Sequence, residues 1–161
     1  MNIFSFLNDK KKELKKCTWD NTNTYIPQLE YGYVIKVYDG DTITVAGYPY
    51  KNSTPYRFSL RLNGIDTPEL RTKCEKEKEL GYLVKEKLQN KILNKIIYIK
   101  DISIEKYGRL LCNIYENKDD KISINQWIID NNMGTVYNGE KKNTDWIEWH
   151  KTHYENLKNI N

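Results

Sequence analysis

The stretch from Tyr31 to Leu62 constrains the fold most, because it sets out three strand-length runs before any helical repeat begins. Tyr33-Val-Ile-Lys-Val37 is rich in β-branched and aromatic residues. It stops at Asp39-Gly40, a dipeptide that suits a tight hairpin because both residues tolerate a positive φ. Thr42-Ile-Thr-Val45 resumes the hairpin on its other side, and Gly47 to Pro55 is a turn-rich loop. Tyr56 to Leu62 then alternates, which predicts Phe58, Leu60 and Leu62 on one face and Arg57, Ser59 and Arg61 on the other.

The period changes next. Leu80, Val84, Leu88 and Ile92 recur every four residues in a Lys/Glu-rich segment from about Cys74 to Leu93, which predicts an amphipathic helix with a solvated charged face. Ile96–Ile99 and Leu110–Tyr115 predict two further strands. Ser123 and Gln126 have the spacing of a capping box ahead of Ile124, Trp127 and Ile128, so a second helix is expected there. A third, containing Trp146, Trp149 and Leu157, is expected with Thr144 or Asn143 as its cap. The order β-β-β-α-β-β-α-α suits a small Greek-key barrel of the OB type. The expected fold class is mostly β with α: a five-stranded OB barrel with three helices.

Residues 1–29 are expected to be an extension, partly helical, ahead of a domain at 30–161. Segment 1–16 carries Lys10, Lys11, Lys12, Lys15 and Lys16 against Asp9 and Glu13. Phe4, Leu7 and Leu14 form a helical stripe, expected to pack on the domain rather than leave a free basic arm. The chain of 161 residues supports one hydrophobic core, and its net charge of +4 is compatible with a polyanionic partner without requiring one. Cys17, Cys74 and Cys112 are odd in number and far apart, with no CxxC pair, so neither a disulfide framework nor a structural zinc site is indicated. No stretch approaches a membrane span. The apolar run Met1–Leu7 is short and its lysines follow it instead of preceding it, so a secretory leader is not expected and an intracellular location is.

Three short clusters place ionisable or special-backbone residues where strands end. Tyr38-Asp39-Gly40-Asp41-Thr42 reads, taken alone, as a hairpin turn capped by Asp41. Arg61-Leu-Asn-Gly-Ile-Asp66-Thr67-Pro68-Glu69 runs a strand into a proline turn that carries two carboxylates, the donor type a hard cation such as Ca2+ needs. Glu105-Lys106-Tyr107-Gly108-Arg109 opens a strand with an arginine, the side chain best shaped to grip a phosphate by two parallel hydrogen bonds. Each cluster has an ordinary structural explanation as a polar turn. Together they supply the parts for phosphodiester hydrolysis: carboxylates for a metal that screens the phosphate, a glutamate to orient or deprotonate water, and arginines for charge on the transition state.

These clusters, in this order, resemble the motifs of the staphylococcal (thermonuclease-like) nuclease family over roughly residues 31–137. The resemblance implies a five-stranded OB barrel with three helices, Ca2+ as cofactor, and endonucleolytic cleavage of DNA or RNA leaving 3′-phosphates. It further implies Asp41, Asp66 and the carbonyl of Thr67 as metal ligands. Arg61, Glu69 and Arg109 would be catalytic, with Glu69 as general base or water-positioning group. Lys106 and Tyr107 would contact substrate phosphates. Tyr137 lies near the position of a nucleotide-holding tyrosine, and a core role fits its spacing equally. The substrate is expected to be single-stranded or unwound, the protein a monomer without membrane partners.

The competing readings are an OB module that binds nucleic acid or protein without cutting, and a phosphatase of small esters. The first needs no complete set of acids and arginines, yet Arg61, Glu69 and Arg109 are all present. The second is disfavoured because basic and aromatic residues are spread along the chain. His150 and His153 share a helix face but lack a third ligand nearby, so packing or surface roles are expected. Trp127, Trp146 and Trp149 are expected in the core.

Overall fold

In the computed structural model, residues 3–105, 108–140 and 142–160 are described, those at 3–6 by their backbone alone. Five strands close a barrel: β1 (Tyr31–Val37), β2 (Thr42–Gly47), β3 (Tyr56–Leu62), β5 (Ile96–Ile104) and β6 (Leu110–Tyr115). Their order around the barrel is β1-β2-β3-β6-β5, closed by β1 against β5, which is the strand order of an OB-fold. Every pairing is antiparallel except β3 with β6, where Leu60, Arg61 and Leu62 face Leu110, Leu111 and Cys112 in parallel. Closure removes the unpaired edges that an open five-stranded sheet would expose.

The alternation expected of the strands holds where one face meets the core. Val34, Val37, Ile43, Val45, Leu60, Ile97, Ile99, Cys112 and Ile114 fill the interior. It fails at the end of β3, where Arg61 and Leu62 are both buried. Arg61 faces away from the apolar core, and what buries it is an ion pair with a carboxylate on the neighbouring hairpin. Strand β5 runs past the predicted Ile99 to Ile104, across a bulge between Lys100 and Ser103 where Asp101 takes φ 56°. A bulge of this kind interrupts the alternation that sequence reading relies on.

Helix α2 (Glu75–Ile92) buries Leu80, Val84, Leu88 and Ile92, the four residues of the period-four repeat. Helix α3 (Ile124–Asp130) starts at Ser123, whose side chain accepts from the Gln126 amide at 3.0 Å. Helix α4 (Trp146–Lys158) packs on α2, but its cap is Asp145 instead of the expected Thr144 or Asn143. The Asp145 carboxylate accepts from the amides of Ile147 and Glu148, while the Thr144 hydroxyl is engaged with that of Thr135. A carboxylate is favoured over a hydroxyl at this position by the partial positive charge of the helix start.

Trp146 is buried, whereas Trp127 and Trp149 are half-buried at the margin of the core. Helix α1 (Ile3–Leu14) lies in the N-terminal extension, so the barrel's three helices become four in the chain. Two residues of its apolar stripe do not pack as expected, Leu7 and Leu14 being 49% and 69% exposed, and the Phe4 side chain lies outside what is described. Two such side chains bury too little area to offset the entropy of fixing a lysine-rich helix on the domain. Leu29, at the end of the extension, is by contrast part of the core.

A two-stranded ribbon lies beside the barrel. Strand β4 (Ile65–Asp66) pairs with β7 (Thr135–Val136), Asp66 opposite Thr135. Neither strand is long enough to be seen in sequence, yet the pair carries the turn after β3 to the segment that precedes α4.

Candidate active site

The site begins with the loop between β1 and β2. The Tyr38 amide donates to the Thr42 carbonyl at 2.8 Å, and the Asp39 carboxylate accepts from the Asp41 amide at 3.1 Å. Asp39, not Asp41, therefore closes the turn, which frees the Asp41 side chain. Glycine is required between them by contact: a Cβ on Gly40 would sit 2.7 Å from both Thr67 Oγ1 and Val84 Cγ1. That close approach brings Asp41 to the turn after β3. A second glycine does the same from the far side, since a Cβ on Gly134 would lie 2.7 Å from the carbonyl oxygen of Asp66.

Thr42 pairs with Arg61 across β2 and β3, so Asp41 and Arg61 emerge at one end of the barrel. Arg61 Nη1 meets Asp41 Oδ1 at 2.5 Å, and its Nη2 donates to the Ile65 carbonyl at 3.3 Å. Burial disfavours the guanidinium charge, but the Asp41 carboxylate beside it raises its pKa nonetheless. The Thr42 hydroxyl donates to Asp41 Oδ1 at 2.9 Å and accepts from Arg109 Nη1 at 3.5 Å. Arg109 is also ion-paired with Glu105. Arg61 and Arg109 thus flank one buried carboxylate, joined through a threonine hydroxyl.

Asp66 is 2% exposed and Thr67 is 3% exposed. Burial, ahead of the contacts around it, raises the Asp66 pKa. Its Oδ1 is shut off from solvent and is the one buried side-chain polar atom among the described residues without a well-formed hydrogen bond. What it has instead is an ion pair: the Lys142 ammonium lies 2.7 Å from Asp66 Oδ1 and 2.6 Å from Glu69 Oε1. Burial works against the Lys142 charge, but the two carboxylates hold its pKa above the usual lysine range. Glu69 is exposed, and its amide donates to Glu77 at 3.2 Å. Asp39 sits beside the cluster, its carboxyl pushed up to about 6 by burial and by the Asp41 charge.

The structure thus links Asp41 with Arg61 and Arg109, and Asp66 with Glu69, on adjoining turns at one barrel end. Tyr137 lines a cleft with Asp66, Lys142 and Thr144, its amide donating to the Gly64 carbonyl at 2.9 Å. Lys106 and Tyr107 lie outside the described residues. Sequence reasoning missed Lys142, which follows Gly139 in a polar stretch without periodicity; only the β4–β7 pairing brings it to Asp66. It also missed Asn125, buried beneath the site. That side chain accepts from the Ile114 amide at 3.1 Å and donates to the carbonyls of Asn63 at 2.9 Å and Cys112 at 3.1 Å. It fastens the turn after β3 to the barrel.

His150 and His153 stand apart from this cluster. His150 meets Glu79 at 2.8 Å and stacks on Tyr154, and His153 packs on Trp149.

The donor set suits a hard cation. Asp41 and Asp66 supply carboxylate oxygens, and the buried Asp66 Oδ1, met only by the Lys142 ammonium, is the sort of atom a cation satisfies. An ammonium between Asp66 and Glu69 shows that the place accepts positive charge. Among the described residues no three His, Cys, Asp or Glu side chains form a complete cage. The remaining ligands of a Ca2+ ion would have to be backbone carbonyls, water or substrate oxygens.

The chain is 27% identical to an uncharacterized protein of Methanocaldococcus jannaschii, over 74% of this chain and 66% of that one. It is 28% identical to proteins named as uncharacterized endonucleases from Escherichia coli O157:H7 and Escherichia coli, over 71% of this chain and 65% of each. The chain therefore spans just under two thirds of the length of these curated relatives. The sequence pattern described as staphylococcal nuclease homologue matches residues 59–159, from the end of β3 through α4. With its OB barrel and this match over more than half its length, the chain belongs to the staphylococcal nuclease homologue family.

Proposed function

We propose that the protein is a Ca2+-dependent endonuclease that hydrolyses phosphodiester bonds in DNA and RNA and leaves 3′-phosphates. The observation that carries this reading is the buried Asp41–Arg61 pair, flanked by Arg109 and adjoining the Asp66–Glu69 turn. Two arginines gathered around one buried carboxylate serve a reaction in which negative charge accumulates on a phosphoryl oxygen. A binding module has no need to bury one of them against a carboxylate.

Asp41, Asp66 and the Thr67 carbonyl would hold the ion. When bound, Ca2+ supplies positive charge that screens the phosphate and polarises its oxygen. The rest is done by the chain. For the ion to be held, Lys142 would have to leave Asp66 and Glu69, freeing the first as a ligand and the second for a water molecule. Glu69 orients that water or accepts its proton, which its exposed position allows. Arg61, fixed by Asp41 and by the Ile65 carbonyl, donates to a non-bridging phosphate oxygen as charge grows there. Arg109 does the same from the other side, anchored by Glu105. Lys106, Tyr107 and Tyr137 would hold the neighbouring nucleotides.

The protein is taken to act as a monomer on unpaired strands. Its three free cysteines fit a reducing cell interior. Circular single-stranded DNA separates endonuclease from exonuclease, because only internal cleavage opens a circle. Linear products whose 3′ ends resist polymerase extension until a phosphatase is added would support the proposal. An intact circle in the presence of Ca2+, or extendable 3′-hydroxyl ends, would overturn the mode or the product assigned here.

A further inference from the structure

The end of the barrel opposite the carboxylates gathers tyrosines. Tyr25, Tyr31, Tyr48, Tyr50 and Tyr56 are all between 46% and 60% exposed. They come from four places in the chain: the N-terminal extension, the start of β1, the β2–β3 loop and the start of β3. Topology brings them together. Gly47 pairs with Tyr56 across β2 and β3, and a Cβ on Gly47 would lie 3.4 Å from the Tyr31 carbonyl. Tyr25 of the extension stacks on Tyr50 with ring centroids 6.1 Å apart. Tyr31, Tyr48, Tyr50, Lys51 and Gln28 line a hollow of about 500 Å3, within the range of small-ligand sites. Single exposed aromatics are ordinary, but five at one place are not.

The strands that lead to them carry charge of one sign. Strands β1, β2 and β3 contain no Asp or Glu, and carry Lys36, Arg57 and Arg61. Their outward positions run from the site to the tyrosines. Thr44 lies between Lys36 and Ser59, and Ala46 between Tyr33 and Arg57, so small side chains form a floor with Lys36 and Tyr33 on one side and Ser59 and Arg57 on the other. Glu30, at the rim of the hollow, is neutralised by Lys118 at 2.6 Å.

We propose that this tyrosine cluster is a second nucleic-acid site, which stacks the unpaired bases of a strand whose phosphate lies between Arg61 and Arg109. The proposal rests on the nuclease reading for its substrate class. It adds a specificity for length. The five residue steps from Thr42 to Gly47 cover about 17 Å at ~3.3 Å each. At ~3.4 Å per stacked nucleotide that is about five nucleotides. Single-stranded binding by OB-folds engages ~4–16 nucleotides and relies on this pairing of stacked rings with a basic track. A tetranucleotide held at the carboxylates therefore stops short of the tyrosines, and a longer strand reaches them.

The test uses the full chain and fluorescent oligothymidylates of four and sixteen nucleotides, with anisotropy measured in chelator so that nothing is cut. The wild type is expected to bind the longer strand at least tenfold more tightly. The Tyr48→Ala/Tyr50→Ala double variant should lose that advantage and keep its affinity for the shorter strand. Tyr48→Phe/Tyr50→Phe, which keeps both rings, should behave as wild type. Both side chains replaced are exposed, so an unchanged thermal midpoint certifies the fold. Equal binding of the longer strand by wild type and the alanine variant overturns the proposal. So does a wild-type dimer at micromolar concentration that the alanine variant abolishes without change in strand binding, since the rings would then contact a second copy. Failure of the two readings is distinguishable. Cleavage of both lengths with one KM removes the platform and leaves the nuclease; tyrosine-dependent binding without cleavage at any Ca2+ concentration does the reverse.

Discussion

Replacing Lys142 by Gln removes the ammonium that touches Asp66 at 2.7 Å and Glu69 at 2.6 Å. The two consequences have opposite signs. Without metal, Asp66 is left as a buried carboxylate whose Oδ1 has no other partner. Orphaning a buried polar group costs about 1–3 kcal/mol, more if charged. The Lys142 side chain is 40% exposed, so water already screens part of the attraction. That holds the loss to about 1–2 kcal/mol. In a domain of this size each kcal/mol moves the thermal midpoint by about 2–4 °C, so a fall of roughly 2–8 °C is expected in chelator. Calcium binding should improve, because the ion no longer displaces a cation. One to two kcal/mol corresponds to an affinity gain of roughly 5–30-fold, read by calorimetric titration. With Ca2+ saturating, the difference in midpoint should shrink, since ligand binding stabilises the variant more. A variant that binds Ca2+ no better than wild type would refute the competition between ion and ammonium. An unchanged midpoint in chelator would refute the ion pair itself.

Arg61→Ala and Arg109→Ala should each lower kcat by on the order of 100-fold or more while strand binding partly survives; near wild-type turnover in either would remove that arginine from the mechanism. Asn125→Ala should destabilise the fold by about 1–3 kcal/mol, because the Ile114 amide and two carbonyls lose a buried partner. Urea denaturation reads it, and a change under about 0.5 kcal/mol, the level of a surface substitution, would contradict the clamp. Asp39 has its folded pKa raised to about 6 from 3.8, so between those values the folded state holds more protons than the unfolded one. Its contribution to stability is therefore full below that window and is lost as pH rises through it. Asp39→Asn keeps the turn's acceptor oxygen and should gain on the wild type by about 1–2 kcal/mol between pH 4 and pH 6.5, after discounting for solvent. A wild-type-to-variant difference that does not change with pH would mean the carboxyl titrates normally.

What the sequence revealed and what it hid divide along physical lines. The barrel was legible because its strands are half-buried and alternate, and because Leu80, Val84, Leu88 and Ile92 mark one helix face without ambiguity. Asp41, Arg61, Asp66, Glu69 and Arg109 stood out because several ionisable residues cluster where strands end. The buried Arg61 broke the alternation rule because its charge is satisfied by a partner on another strand, which no local pattern encodes. Lys142 and Asn125 were hidden for the same reason. Each acts through contacts more than ten residues away, brought close by a two-residue ribbon in one case and by β6 in the other. The stripe of α1 misled in the opposite direction, since apolar periodicity states which face is able to pack, not that a surface awaits it.

The most direct test is digestion of labelled single-stranded DNA and RNA with Ca2+ and with chelator, wild type beside Glu69→Gln. A nuclease built on these carboxylates cuts both strands in Ca2+ and neither in chelator, and the variant binds them but cuts at least 100-fold more slowly, the scale expected of a lost general base. Tight binding without cleavage in Ca2+, or cleavage that Glu69→Gln leaves intact, would contradict it.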